Sequence, residues 1–343
     1  MRVLLTGTGG FIGAHTVQWI LQNTDWEIVG LESWRPAHVN NAMRLHEVFS
    51  ELTQEQVSRY RGYQWDLTHA FTEPIKNLIF EKPIDAIISM ASDSRVTHSV
   101  KHPGETWYNN TQIAFNMLEL ARNNPVDMFI QVSTDEVYGD AGWDSPGHPE
   151  WDTILPSNPY SASKAAQEAL AISYWRTYGV PVVITNTMNV IGEWQDPEKF
   201  LPLAIKRIDN GEPMTLFAEP DGKTTSRRVW LDAKNMAAAL VHICKNTKPN
   251  KCEKAQDRPT RYHIIGETEL SVAELASIVA TKLGKKLLKN IVSGDKIRPG
   301  YDRRYALIDQ NLKATGFVPP FNFEDTIKRI IQWARKNPHW IFE

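Results

Sequence analysis

Cysteine is scarce in this chain: Cys244 and Cys252 are its only two. Two cysteines neither frame a disulfide scaffold nor build a zinc site, so the setting they suggest is reducing and cytoplasmic. Long apolar runs are missing as well. No stretch approaches the roughly 18 apolar residues of a membrane span, and no membrane partner is expected. An excess of charge is also absent. Against 38 basic residues stand 40 acidic ones, a net charge of −2, which gives no reason to expect nucleic acid or an anionic surface as partner. Of the ten histidines only His98 and His102 stand in H-x-x-x-H spacing; the histidines are read as surface or core residues, and no metal is expected. No internal repeat is visible. The opening MRVLLTGTGG runs straight into a strand and a glycine-rich turn, and no leader peptide is expected there. What is present is an ordinary globular composition, 42% hydrophobic over 343 residues, enough for one large domain and a smaller one.

The first half alternates two periodicities. RVLLT (2–6), WEIVGL (26–31), DAIISM (85–90), MFIQV (128–132) and VPVVITN (180–186) read as buried strands bounded by Gly, Pro and Asn. Between them lie helical patterns such as FIGAHTVQWILQN and NTQIAFNMLELARNN. Strand and helix in series predict right-handed βαβ units, hence an α/β, Rossmann-like, doubly wound parallel sheet over residues 1–186. Beyond residue 187 the pattern loosens into loops carrying Pro and charge, GEWQDPEKFLP and NTKPNKCEKAQDRPTR. This predicts a smaller substrate-binding α/β module from 187–225 and 247–343. KLGKKLLK reads as a solvated helix end and adjoining strand, and QWARKNPHWIF as an amphipathic helix with a docking tail.

TGTGGFIG (6–13) follows the first strand and opens a helix. Gly7 permits the tight turn, Gly10 lets backbone approach a pyrophosphate, and Gly13 lets the helix pack close to the sheet; Phe11 and Ile12 belong to the same turn. Glu32 closes the next strand, where a carboxylate accepts a ribose 2′-hydroxyl and repels a 2′-phosphate. NAD is therefore expected over NADP, although nearby Arg35 softens that preference. Asp66, with Leu67 beside it in QWDL, is placed to reach the adenine, and equally well reads as an ordinary loop acid.

YSASK sets Tyr160 and Lys164 four residues apart, on one face of a helix. A lysine ammonium beside a phenol favours the phenolate, which would make Tyr160 a base. STDEVYG (133–139) ends a buried strand with Thr134 followed by two adjacent carboxylates, Asp135 and Glu136. Like charges this close raise each other's pKa.

Together these stretches resemble, end to end, the extended short-chain dehydrogenase/reductases of the NAD-dependent epimerase/dehydratase family, and most narrowly the dTDP-glucose 4,6-dehydratases. SMASDSRVTHSV, NPYSASKAA, TNTMNVIG, DPEKFLP and RPGYDRRYA carry the resemblance alongside the glycine turn, and STDEVYG is its most specific part. Related epimerases generally lack both acids.

The resemblance implies that Thr134, Tyr160 and Lys164 oxidise the sugar at C4, with Asp135 the acid and Glu136 the base of water elimination across C5 and C6. NAD would take hydride from C4 and return it to C6. Ala91 and Asn110 would lie on the cofactor side. Ser94, Asn189, Glu198, Lys199, Arg228, His263, Arg298 and Tyr301 would line a nucleotide-diphosphate hexose. Arg228 and Arg298 suit a diphosphate, since a planar guanidinium bonds paired phosphate oxygens; a surface ion pair is the plainer reading of either. His263 reads equally well as a buried, hydrogen-bonded histidine. The resemblance also implies a homodimer through two long helices, and a return of the chain to the cofactor domain at about 226–246. The sequence departs from the family at LESWRPAHVN, Ser89, Asp93, Ile113 and Tyr301. The alternatives are a UDP-sugar 4,6-dehydratase, a nucleotide-sugar 4-epimerase and, more remotely, a non-catalytic NAD-binding sensor.

Overall fold

The computed structural model describes residues 1–34, 40–293, 300 and 302–341. Its strands run β1 (Arg2–Thr6), β2 (Glu27–Glu32), β3 (Tyr60–Gln64), β4 (Ala86–Ser89), β5 (Met128–Thr134), β6 (Val182–Thr187), β7 (Asn189–Ile191), β8 (Met214–Ala218), β9 (Arg227–Asp232), β10 (Thr260–Ile264), β11 (Thr268–Ser271) and β12 (Lys289–Ser293). Seven form one sheet in the order β10-β6-β5-β4-β1-β2-β3, with every neighbouring pair parallel. Side chains alternate across a strand, so a sheet covered on both faces needs continuous apolar runs. β1 shows it: Val3 and Leu5 enter one core, Leu4 the other.

Helix Phe11–Asn23 and helix Ala233–Asn246 pack together on the first face. The long helices Pro103–Asn123 and Pro159–Tyr178 pack together on the second. Helix Pro159–Tyr178 has complete local signals. Asn158 caps it by accepting from the Ser161 N–H, Ser161 answers by accepting from the Asn158 N–H, and proline occupies the first turn. Gly179, left-handed at φ 71°, ends it.

A three-stranded sheet, β11-β9-β7, and a parallel pair, β12–β8, make up the rest. One element falls outside the sequence expectation. β10 lies in the stretch assigned to the substrate module, yet it extends the large sheet alongside β6. Five residues of strand pattern do not reveal a partner some 75 residues away. No helix among the described residues is long and apolar enough to cross a membrane.

Candidate active site

All seven strands of the large sheet present their carboxyl ends at one edge. The strand order reverses between β1 and β4, where such sheets form a ligand crevice. The glycine turn lies there. Gly7 has φ +71°, a conformation costly for any side chain, and a Cβ on it would stand 3.2 Å from Ala91 Cα. A Cβ on Gly13 would stand 2.0 Å from the Gly7 carbonyl oxygen, so only glycine lets the helix start this close. Helix Phe11–Asn23 has no side-chain cap and no acid in its first turn, which leaves its N-terminal amides to an anionic ligand. Buried Glu32 accepts from the Gly9 N–H and the Ser33 N–H, each at 3.0 Å. Its carboxylate thus stands at the turn, where a ribose hydroxyl would need an acceptor. These features fit the pyrophosphate and ribose of NAD.

The other cofactor candidates are placed more variously. Ala91 donates its N–H to Thr6 Oγ1 at the β1 end. Asp66 caps its own turn, accepting from the Thr68 N–H and hydroxyl. Leu67 is buried, its carbonyl held by Asn116. Asn110 is fully buried. It accepts from the Asp93 N–H, and donates to the Asp93 carbonyl at 3.1 Å and to Ser163 Oγ at 2.9 Å. Asn110 therefore locks the segment after β4 to the Tyr160 helix.

At the end of β5 the chain enters a 3-10 turn, Asp135–Tyr138, so adjacent acids need not point to opposite faces as they would along a strand. Thr134 Oγ1 donates to Asp135 Oδ1 at 2.9 Å and accepts from the Glu136 N–H at 3.3 Å. Asp135 Oδ2 is buried with no hydrogen-bond partner. Burial first, then the neighbouring Glu136 charge, push the Asp135 carboxyl up to about 7. Glu136 is less enclosed. Its Oε2 accepts from Asn158 Nδ2 at 3.1 Å and the Tyr305 hydroxyl at 3.3 Å. One acid is thus poised to hold its proton near neutrality beside a carboxylate bound by two donors.

The Tyr160–Lys164 pair departs from expectation. Lys164 Nζ donates to the Val132 carbonyl at 2.7 Å and to Gln167 Oε1 at 2.6 Å. Burial lowers its ammonium to about 8. The Tyr160 phenol is held well above its ordinary value, by burial and then by Glu136 and Asp135. The protein alone therefore keeps Tyr160 protonated: burial leads, the neighbouring acids add to it, and the Lys164 ammonium is turned to Val132 and Gln167 instead.

Among the substrate candidates, Asn189 has a buried Oδ1 without a partner. Ser94 and Glu198 are exposed, and Lys199 stands at the N-cap position of helix Phe200–Asp209 without a side-chain cap bond. Arg228 is buried over the Tyr305 ring at 4.2 Å and donates to the carbonyls of Arg227, Asp302 and Arg303. Its charge acts on Asp135, opposing the upward shift. His263 does not line the site. It is fully buried, with Nδ1 on the Ile308 carbonyl and Nε2 on the Tyr138 hydroxyl, and burial lowers it to about 3. Arg35, Arg298 and Tyr301 lie outside the described residues.

Several members went unread in the sequence. Asn158 stands just before PYSASK, where its cap role was legible, but its bond to Glu136 was not. Tyr305 donates to Asp302 as well as Glu136, and Asp302 accepts from Ser157 at 2.5 Å. Beneath them Arg261 and Glu168 form a buried ion pair of 2.8 Å.

Comparison with known proteins agrees with this architecture. Residues 3–255 match the NAD dependent epimerase/dehydratase family. The dTDP-glucose 4,6-dehydratase of Neisseria meningitidis serogroup B is 28% identical over 358 residues, covering 99% of this chain and 94% of that protein. A trifunctional UDP-glucose 4,6-dehydratase/UDP-4-keto-6-deoxy-D-glucose 3,5-epimerase/UDP-4-keto-L-rhamnose-reductase of Arabidopsis thaliana is 30% identical over 99% of this chain, which spans 48% of that protein. The crystal structure of a Streptomyces venezuelae dTDP-glucose 4,6-dehydratase with NAD bound superposes with a TM-score of 0.82 at 30% identity, covering 99% of this chain and 98% of that one. A glycine turn at the switch point, a Tyr-Lys helix beside it and a family match over most of the chain lead to one conclusion: this chain belongs to the NAD dependent epimerase/dehydratase family.

Proposed function

We propose that this chain is an NAD-dependent nucleotide-sugar 4,6-dehydratase, a hydro-lyase converting dTDP-glucose to dTDP-4-keto-6-deoxyglucose. One observation carries the reading: Asp135 and Glu136 occupy one turn beside Tyr160 but differ in environment, so one favours the acid and the other the carboxylate. An epimerase needs no such pair, whereas elimination across adjacent carbons needs an acid and a base in one turnover.

Once its own proton has passed to solvent, Tyr160 takes the C4 hydroxyl proton as the phenolate, with Thr134 holding the turn in register. Glu136 takes the C5 proton, acidified by the new C4 carbonyl. Asp135 protonates the C6 hydroxyl, which leaves as water. Glu136 then returns a proton to C5, while Tyr160 and Asp135 reset through solvent. Bound NAD would supply the two-electron oxidation at C4, the matching reduction at C6 and a positive charge of the kind that favours a phenolate. Gly7, Gly10, Gly13 and Glu32 are the residues that would hold it, and Lys164 adds a charge held up to a pH of about 8.

Residues 187–225 and 247–343, apart from the β10 segment, are proposed to close over the sugar nucleotide, with Asn189, Glu198 and Lys199 lining it. The chain is further proposed to act in the cytoplasm as a homodimer. Trp107, Tyr108 and Phe115 leave an apolar strip exposed on helix Pro103–Asn123, which suits a second copy. Mass spectrometry of the protein with dTDP-, UDP-, GDP- and CDP-hexoses tests the reading. Loss of one water from dTDP-glucose is expected; loss from a UDP-hexose alone would reassign the base, and isomerisation without mass change would reassign the reaction.

A further inference from the structure

The segment between β7 and helix Phe200–Asp209 touches the cofactor turn through a residue with no assigned role. Arg44, on helix Asn40–Ser50, is almost wholly buried. Its Nε donates to the Trp194 carbonyl at 2.8 Å, and its Nη2 pairs with Asp196 Oδ1 at 2.5 Å. Its Nη1 reaches Asn41 Oδ1 at 2.9 Å and the Gly9 carbonyl at 3.4 Å. Gly9 is thus held from both ends: Glu32 takes its N–H, and Arg44 approaches its carbonyl. On the other side, Arg44 holds a segment under local constraint. Trp194 is a non-glycine residue at φ 60°, a conformation that persists only where surroundings enforce it. Its ring packs on His15 of the cofactor helix at 4.9 Å, and His15 Nε2 meets the Glu193 carbonyl at 2.9 Å. Gly192 lies so near that helix that a Cβ would stand 3.0 Å from His15 Nε2.

From these contacts we infer that Arg44 is a positioning residue that couples NAD binding to the order of the 193–199 segment. One guanidinium bridges the turn that receives the pyrophosphate and the loop that leads into Glu198 and Lys199. Fixing Gly9 around the cofactor fixes Arg44, and Arg44 fixes the Trp194 carbonyl and Asp196. The Asp196 backbone carbonyl in turn accepts from the Lys199 N–H at 2.9 Å, at the start of the next helix. By linkage, whatever orders that segment tightens NAD by the same factor. That this segment meets the sugar nucleotide rests on the function proposed above; the coupling itself does not.

Hydrogen exchange at residues 193–199 tests the coupling, comparing NAD-loaded with NAD-depleted protein. In the unaltered protein, NAD is expected to slow exchange there about tenfold, within the usual range for coupled sites. In Asp196→Asn, an exchange of one atom at a partly exposed carboxylate, the slowing is expected to fall below about twofold while NAD still binds. Asp196→Glu should restore part of it, which a general loss of packing would not allow. Arg44→Lys is expected to lose the slowing and to weaken NAD as well. Equal slowing in the unaltered protein and in Asp196→Asn would overturn the inference, as would no slowing in the unaltered protein. A parallel titration with dTDP separates the two readings. If NAD slows exchange but dTDP neither binds nor adds protection, the coupling stands and the proposed substrate falls.

Discussion

Two buried acidic clusters lie against the end of β5, and they are built on opposite principles. In one, Glu168 meets Arg261 at 2.8 Å with both side chains shut from solvent. The two opposite charges there satisfy each other, and amide and hydroxyl groups surround them, although Arg261 Nε has no partner. Asn186 donates to Glu168 at 2.7 Å and to the Thr134 carbonyl at 3.0 Å, and Arg261 also donates to the Tyr138 hydroxyl. In the other, Asp135 and Glu136 put like charges side by side, and Asp135 Oδ2 has no partner. A matched buried pair fixes geometry, because losing either partner strands a charge. Burial and a like-charged neighbour raise a pKa, and a carboxyl near 7 can donate a proton at neutral pH. The first cluster holds the platform; the second is the one proposed to do the chemistry.

The contrast is most exposed to test at Tyr160, whose phenol feels both Glu136 and Asp135. Tyr160→Phe should lower turnover by ~10²–10⁴-fold, the usual contribution of a positioned base, with an unchanged thermal unfolding curve. Near-normal turnover would remove the Tyr-Lys assignment. Arg261→Met should do the reverse. It strands the Glu168 carboxylate, so a loss of about 3–5 kcal/mol in chemical denaturation is expected, with the pH dependence of any residual activity retained.

Asp135→Asn sharpens the comparison through pH. The folded carboxyl, at about 7, lies above its ordinary 3.8, so the folded state keeps a proton that the unfolded chain releases. Stability therefore falls as pH rises from about 4 to about 7, and the penalty is complete above that. The variant should match the parent below pH 4 and exceed it by up to about 4 kcal/mol at pH 8, while losing dehydration. A stability gain independent of pH would contradict the assigned cause. In the parent, activity should decline as pH rises through 7, because Asp135 then loses the proton it must donate.

The smallest effect belongs to Asn158, which serves both structure and site. Asn158→Ala removes a helix cap, worth about 1 kcal/mol, and one donor to Glu136. Exchange of the substrate C5 hydrogen with heavy water should slow in this variant more than C4 oxidation does. Equal slowing of both would mean that Asn158 acts only as the cap.

Much of this was legible before any coordinates. The glycine turn, Glu32, STDEVYG and YSASK are each contiguous, and their roles follow from local rules: a left-handed turn needs Gly7, close packing needs Gly13, and a four-residue step puts Tyr160 and Lys164 on one helix face. His263 shows where local reading fails. Its TRYHIIG context gives a strand and leaves open which way the ring points; packing beneath Tyr138 decided that it belongs to the core. The ammonium of Lys164 is a second case. Sequence puts it near Tyr160, but the Val132 carbonyl and Gln167 amide claim it.

By itself the sequence determined the parallel α/β architecture, the dinucleotide turn and the position of the two acids, because periodicity and short spacings are written in neighbouring residues. Only the tertiary structure decided which acid is buried and which is bound by Asn158 and Tyr305, that β10 completes the sheet, and that Arg44 joins the cofactor turn to the 193–199 segment. Those outcomes depend on groups up to 169 residues apart in sequence. Burial and charge act through distance in space, and no local pattern records what folding will bring within 3 to 4 Å.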